Sequence, residues 1–546
     1  HGCTGFAHCD ILTDSTGAKP GILQHHAHTT PQLAPIHLQG IDAVQADFAA
    51  VRVVEAHEQV DKGSLAAAGG ADDSDPLTGF HTWERNGKLF FLLGHAYNPF
   101  TMEIAEEAIL QRLSDHDGEA DFYDFVDELT GVFVLGVAGN DGVTYLTDPA
   151  GIQSACWGFV DGAFYLSPHP QLVADLCGLE MDGFVKRLVA YKWYPRVMGA
   201  YMPADLTPFA PLKRVVPNQA YLCHLREGTV EHKRFYPLKD LAECTDEEEY
   251  SRTIEAAADI LKKNMELVIR KWNNPWISLT GGIDSNTTFA AANGHYDKVK
   301  TFSYLSATKE SIDCDAAKEI SARFNVPWTL YHIPEDSGEL DRFEARAAIL
   351  RHNNGYIACE KDNELRKRVV LQAQCPADVE IKSWVSETIR GYWYKHYGRK
   401  RMPKLSGRLY RNLYKMFLTD RGLAHEIDKL FDRYIEEFEY RKVPGRYPPA
   451  DLHFNEVTWG SWGSMNISEM KYCFDITIIY NNRRFLDLLF KVPLEKRISD
   501  QHHLDMKKYL NRELYDMGIR VVNMKETKFR AFALNVIFII NSILPF

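Results

Sequence analysis

Trp276-Ile-Ser-Leu-Thr-Gly-Gly-Ile-Asp-Ser285 is the stretch on which the reading of this chain turns. Trp276 to Leu279 reads as a strand and the residues from Ser285 onward as a helix, so the paired glycines sit in a strand-to-helix turn. Glycine lets backbone N–H groups close on a polyphosphate, and the helix N-terminus adds positive potential at the same point. The expected anion-binding set is therefore Ser278, Leu279, Thr280, Gly281, Gly282, Asp284 and Ser285, with the Ser285 hydroxyl donating to phosphate oxygen. A carboxylate beside phosphate needs a cation between them. Mg²⁺ would meet that need at Asp284. The spacing is neither GxxxxGK[ST] nor GxGxxG, which sets aside a Walker loop and a dinucleotide fingerprint.

Working outward, strand and helix alternate: strand Val299 to Tyr304, helix Cys314 to Phe324, strand Trp328 to His332. Such alternation predicts a parallel sheet. Loops at strand ends in open α/β sheets read ligands, so the backbone near Phe302, Ser303 and Tyr304 is the expected adenine contact. Upstream, Glu247 to Trp272 is a long amphipathic helix with acids crowding its start. Before it the pattern differs: β-branched and aromatic runs at Val51 to Val54, Lys88 to Leu93, Val132 to Val137, Val143 to Thr147, Trp157 to Val160 and Ala163 to Leu166. Asn86-Gly87, Asp141-Gly142 and Asp161-Gly162 suit hairpin turns between them, and Glu103 to Leu113 reads as a helix. The expected domains are 1–238, antiparallel sheet with helices, and 239–546, a parallel α/β sheet followed by a mostly helical part.

A chain of 546 residues with 45% hydrophobic and 25% charged side chains can bury sizeable cores. Its formal charge of −12 argues against general nucleic-acid binding, which needs a basic field. Ten cysteines without a CxxC pair describe neither a zinc ribbon nor a disulfide framework and suit reduced thiols in a cytoplasmic protein. The opening HGCTGFAHCD shows no secretory signal. Ala531 to Phe546 is apolar but short and broken by Asn535 and Asn541, so a docked terminal helix is expected over membrane contact. His25-His-Ala-His28 is read as accidental clustering, and His502-His503 as local helix composition or a substrate contact.

The turn resembles the SGGxDS loop of the N-type ATP pyrophosphatases, with Thr280 for the first serine. The two-part layout is similar to asparagine synthetase and its relatives, among them β-lactam synthetases and lasso-peptide cyclases. Gly87 to Asn98 resembles the strand ending in NGEIYN, Leu129 to Val134 resembles LNGMFA, and Asp148 to Ile152 resembles DRxGI. Tyr480 to Phe485 falls where these synthetases have PFLDHRL, and Lys508-Tyr-Leu510 matches KYL. The resemblance implies a glutaminase-like domain of the Ntn-hydrolase fold ahead of a PP-loop synthetase domain.

Departures from the family pattern carry as much as the matches. A glutaminase of this type uses an N-terminal cysteine whose own amine is the base, whereas Cys3 follows His1 and Gly2. Leu93 replaces the asparagine of the oxyanion hole, although Gly94 is kept, so the domain is expected to be a relic that does not hydrolyse glutamine. In Lys382 to Tyr392 (KSWVSETIRGY) the family's metal-binding aspartate becomes Ser386; Glu387 is then the carboxylate left to hold a second metal, act as base, or pair with Arg390. Lys508 is the expected cation for acyl transfer.

What the resemblance implies is a ligase using ATP and Mg²⁺ that adenylates a carboxylate and passes the acyl group to ammonia or an amine. The acid would be a small molecule, a uronic acid or a peptide, with a precursor peptide or partner protein as a further partner. Gly391 to Lys415 interleaves bases and aromatics, which keeps tRNA-base adenylation open as a rival, although a basic lid fits the acidic chain better. A non-catalytic scaffold of the same fold is the third reading.

Overall fold

The computed structural model describes residues 51–53, 79–140, 142–194, 199–306, 311–353, 362–415, 419–521 and 528–543. Cys3 and the histidines at 25, 26 and 28 lie outside them.

The first part runs β1 (Val51–Val53), β2 (Phe80–Arg85), β3 (Lys88–Tyr97), helices α1 (Glu106–Asp115) and α2 (Phe122–Glu128), β4 (Thr130–Gly139), β5 (Gly142–Thr147), β6 (Cys156–Val160), β7 (Ala163–Ser167), helix α3 (Pro170–Cys177), β8 (Leu212–Arg214), β9 (Gln219–His224) and β10 (Thr229–Arg234). They form sheets of order β1-β7-β6-β8 and β10-β9-β5-β4-β3-β2, antiparallel except for the β1–β7 pair. The turns at Asn86-Gly87 and Asp161-Gly162 carry positive φ at both residues, the condition for tight hairpins. Strand β3 is buried on both faces, and its period of two sorts its side chains between layers. Leu89, Phe91 and Leu93 pack with Phe164 and Leu166 of the other sheet, while Phe90 and Leu92 pack under Ile109, Leu110 and Val126 of the helices. Opposite, Val160 and Tyr165 meet Leu172 and Val173 of α3. The layers are therefore helix, sheet, sheet, helix.

The second part opens with α4 (Glu247–Lys271), capped by Asp246, whose side chain accepts from Glu249 N–H. Then come β11 (Pro275–Ser278), α5 (Ile283–Ala291), β12 (Lys300–Leu305), α6 (Ser311–Arg323), β13 (Trp328–His332), β14 (Val379–Ile381), α7 (Tyr392–Tyr397), β15 (Asp475–Thr477), α8 (Leu494–Ile498), α9 (Gln501–Leu510) and α10 (Lys528–Ile543). The five strands are parallel, in the order β13-β12-β11-β14-β15. The connections lead outward from β11 in opposite directions, so the sheet reverses between β11 and β14. A crevice at such a reversal, beyond the carboxyl ends of the strands, is where open α/β sheets take ligands.

Antiparallel sheets with helices followed by a parallel α/β sheet and a helical remainder are the fold class expected from the sequence. Helix α1 begins three residues later than Glu103, because Asn98 and Glu103 bridge instead. Strands β14 (VEI) and β15 (DIT), three residues each, have no pattern long enough to read beforehand.

Two of the family-like motifs join the parts. Asp148 accepts from the N–H groups of Ile152 (2.9 Å) and Gln153 (2.8 Å), and Asn481 donates to it at 2.8 Å. Asn482 donates to Thr130 Oγ1 at 2.9 Å, and Arg483 to Asn218 Oδ1 at 2.8 Å. A π-helical segment, His453–Gly463, adds Asn455, which donates to Pro149 O at 2.9 Å, and Glu456, which pairs with Arg234. The terminal α10 docks through Phe538, fully buried against Tyr397, and leaves Phe532, Val536, Ile539 and Ile540 outward. Among the described residues no helix is long and apolar enough to cross a membrane.

Candidate active site at the sheet reversal

Loop 279–282 leaves the central strand β11, and α5 begins at Ile283 with Gly282 as its uncapped N-terminal flank. The first N–H groups of α5 thus have no intrahelical acceptor and no side-chain cap, which is the donor set an anion would use. Neither loop glycine has positive φ; Gly281 is required by close approach instead. A Cβ there would overlap Val521 Cγ2 and come within 3.0 Å of Ala316 Cβ, while Val521 N–H donates to Gly281 O at 2.8 Å. We expect Gly281→Ala to cost about 1–3 kcal/mol in urea unfolding by overpacking. Adding Val521→Gly should recover most of it, and an unchanged midpoint in the single variant would refute the contact.

The loop side chains are turned inward. Ser285 Oγ lies 3.0 Å from Thr280 O and 3.1 Å from Gly282 O, and Asn286 donates to the same two carbonyls at 3.0 and 2.8 Å. Ser285 therefore braces the bend and does not point outward as expected for a phosphate donor. Gly281 N–H donates to Asp313 Oδ1 (3.1 Å) and Gly282 N–H to Thr280 Oγ1 (3.1 Å), so an anion in the bend would have to displace both acceptors. Ser278 and Leu279 belong to the sheet: Ser278 is in register with Phe302, and Leu279 N–H donates to Phe302 O at 2.9 Å. Phe302 is fully buried, and Ser303 Oγ donates to Leu279 O (2.8 Å) and accepts from Trp328 Nε1 (3.1 Å). Tyr304 lies under the Lys367 ammonium, 3.8 Å from its ring centre. The expected adenine contact at Phe302 and Ser303 is thus consumed by packing and by the sheet.

Asp284 faces the loop after β14 across the reversal. Ser386 Oγ donates to its Oδ1 at 2.7 Å, His503 Nε2 lies 3.1 Å from Oδ1, and the Arg390 guanidinium pairs with Oδ2. Burial would push this carboxyl up, but Arg390 and His503 outweigh it and hold it well below the usual carboxylate range. Arg390 also donates from Nε and Nη2 to Asp500 at 2.7 and 3.0 Å; Asp500 further pairs with Lys395 and, at 3.0 Å, with Arg520. Val385, buried with φ of 71°, and Asp500, with φ of 63°, hold left-handed conformations costly to a β-branched and a non-glycine residue. Strain of this kind gathers where geometry is being enforced.

Glu387 sits beside this set, with Oε2 3.5 Å from Ser386 Oγ. Burial, then the Asp284 charge, push its carboxyl up to about 8, against Arg390. Between pH 4.5 and 8 the folded state then binds more protons at Glu387 than the unfolded chain, so this group lowers stability as pH rises through that window. Glu387→Gln should flatten the slope of unfolding free energy over that interval, and an unaltered slope would overturn the assignment.

The donor set does not fit a resident Mg²⁺ at Asp284 and Glu387. One carboxylate has both oxygens engaged, and the other holds a proton at neutral pH. The cation that the sequence demanded beside Asp284 is supplied by Arg390. Among the described residues, the one histidine–carboxylate group close enough to hold a metal is elsewhere, at His81, Glu106 and Glu107.

Lys508 stands away from these groups. It is exposed, with its ammonium 5.7 Å from the Tyr515 ring centre. Lys507 is the buried one, at 2% exposure, its ammonium pushed down by burial and then by Arg520. Asp500 and Arg520 carry no motif in sequence; His503 had drawn notice, and Arg390 only as a pairing partner for Glu387. Leu93 is 5% exposed in the core between the two antiparallel sheets, and Gly94, at φ of 99°, would drive a Cβ into Val132 O.

Residues 276–349 match the family model described as asparagine synthase. This segment is asparagine synthetase-like. It contains the loop, α5, β12, α6 and β13, so the matched region is the one that carries the crevice's first wall. No curated protein matches the chain. Solved structures overlap it in part. "Structure of the allosteric regulatory enzyme of purine biosynthesis" is 12% identical over 48% of this chain and 49% of that one, with a TM-score of 0.20. The glutamine-dependent NAD⁺ synthetase of Acinetobacter baumannii, in complex with adenosine diphosphate, is 14% identical over 36% and 38%, TM-score 0.17. The glutamine phosphoribosylpyrophosphate amidotransferase of B. subtilis, with ADP and GMP, is 12% identical over 57% and 59%, TM-score 0.18. The chain spans between 38% and 59% of these proteins' lengths, and the architecture rests on its own strand order.

Proposed function

We propose that this protein is an ATP-dependent, amide-forming ligase whose reaction takes place at the reversal between β11 and β14. The observation that carries the reading is the uncapped start of α5, facing the crevice beside Asp284 and Arg390, within the asparagine synthetase-like segment.

A substrate carboxylate oxygen attacks the α-phosphorus of ATP, the bond from that phosphorus to the α,β-bridging oxygen breaks, and pyrophosphate leaves with the bonding pair. The amine or ammonia nitrogen then attacks the acyl carbon, AMP departs with the bonding pair, and the nitrogen gives up a proton. The first N–H groups of α5 would receive pyrophosphate once Asp313 and Thr280 let go of the loop. Arg390 keeps Asp284 from repelling the phosphates, and Lys507 with Arg520 offers positive charge to the departing groups. Glu387, its carboxyl pushed up to about 8, can serve as the base that takes the nitrogen's proton only as pH rises through that value.

The test is ATP–pyrophosphate exchange with carboxylic acids added singly, against the same assay with tRNA. Exchange that depends on an acid supports the ligase. Exchange driven by tRNA would transfer the site to RNA modification, and absence of ATP binding would leave a scaffold.

A further inference from the structure

We infer that the cavity between α7, α8 and α10 is the acid-substrate pocket, and that it takes a small organic acid bearing anionic groups in addition to the carboxylate to be activated. The inference rests on the ligase reading for the identity of the reacting group, but its charge selectivity is a property of the cavity alone.

The cavity measures about 980 Å³, the size of a pocket for a metabolite. Its charged lining is unbalanced: Lys395, Arg399, Lys400, Arg520 and Arg530 against Glu495 and Asp500. Both carboxylates are already engaged, Glu495 by Lys400 at 3.1 Å and Asp500 by Arg390, Lys395 and Arg520. A surplus of positive charge in a concave site of an acidic chain attracts anions and focuses their approach. Further positive charge is disfavoured in this wall: His396 is pushed down to about 4 by burial and then by Arg530, and Lys395 is lowered by burial and then by Arg390. Arg399 donates to Asn535 Oδ1 at 2.8 Å and lies 5.2 Å from the Phe538 ring centre, which fixes α10 as one wall.

The cavity is linked to the loop through a chain of ion pairs and backbone contacts. Asp500 and Arg520 line it; Asp500 holds Arg390, which holds Asp284, and Arg520 precedes Val521, which covers Gly281. An acid seated in the cavity with its distal charges on Lys400 and Arg530 would direct its remaining carboxylate toward the crevice. The first part of the basic and aromatic stretch noted in the sequence lines this cavity, through Tyr392, Tyr394, Lys395, His396, Arg399 and Lys400.

Isothermal titration of the full chain with citrate and with 3-phosphoglycerate as anionic probes, and with triethyl citrate as the uncharged one, tests the assignment. We expect saturable binding of an anionic probe, weakening with salt, no binding of the ester, and at least tenfold loss in Lys400→Glu/Arg530→Glu. Both altered residues are exposed, Lys400 to 86%, so the variant should fold, which near-UV circular dichroism checks. No binding of either anion, equal binding by the variant, or equal binding of the ester would overturn it. So would competitive displacement by ATP, which would hand the cavity to the nucleotide. ATP titrated alone decides the ligase reading separately: its failure to bind would sink that reading, while the citrate and ester arms still decide the cavity.

Discussion

Arg390→Met should reduce ATP–pyrophosphate exchange by about 100-fold or more, the loss typical of removing one preorganised charge at a reacting centre. The guanidinium spans two carboxylates, Asp284 through Nη1 and Asp500 through Nε and Nη2. Without it, Asp284 regains a charge unmatched except by His503 and Ser386, and the phosphates of ATP would meet that charge directly. Arg390→Lys should behave nearly as badly, since an ammonium is a point charge without the fork needed to hold both partners. A second readout separates this from simple unfolding. The wild-type chain should bind pyrophosphate equally with and without EDTA, whereas Arg390→Met should bind it only when Mg²⁺ is added back. Wild-type exchange in the methionine variant, or loss of pyrophosphate binding on chelation in the wild type, would refute the role given to Arg390.

Glu456→Ala should be the most damaging substitution for stability, at about 3–5 kcal/mol, the cost of leaving a buried charge unpaired. Glu456 and Arg234 are both fully buried and pair twice, at 2.8 and 2.9 Å; Asn218 also donates to Glu456, at 2.9 Å, and so does the Tyr440 hydroxyl. The pair joins the end of β10 to the π-helical segment of the second part. Its loss should lower the urea midpoint of both parts together. Replacing both partners by methionine should restore most of the stability, because the desolvation cost disappears with the charges. A fall below about 1 kcal/mol in the single variant would show that the pair is dispensable.

The bend at Thr280 to Ser285 was legible because glycines between a strand and a helix have few other uses, and its neighbours α4 and β13 were legible because their apolar spacing runs long enough to have a period. The partners of Asp284 were not. Arg390 is 106 residues away and His503 lies on another helix; an ion pair between distant residues leaves no local pattern. Ser285 was misread for a related reason: sequence shows that a hydroxyl is present, not whether it faces solvent or the loop's own carbonyls. The choice between Lys507 and Lys508 was likewise beyond it. Successive helix residues point about 100° apart, so one of two adjacent lysines is buried only once the surface opposite the helix is known.

By itself, then, the amino-acid sequence determined the two kinds of sheet, the glycine turn between a strand and a helix, and the requirement for positive charge beside Asp284, since these follow from local period, glycine geometry and electrostatics. The tertiary structure alone decided that the charge comes from Arg390, that Lys507 is the buried lysine, and that a basic cavity is lined by Asp500 and Arg520. Each of those depends on which distant surfaces meet, and that is a property of packing in three dimensions.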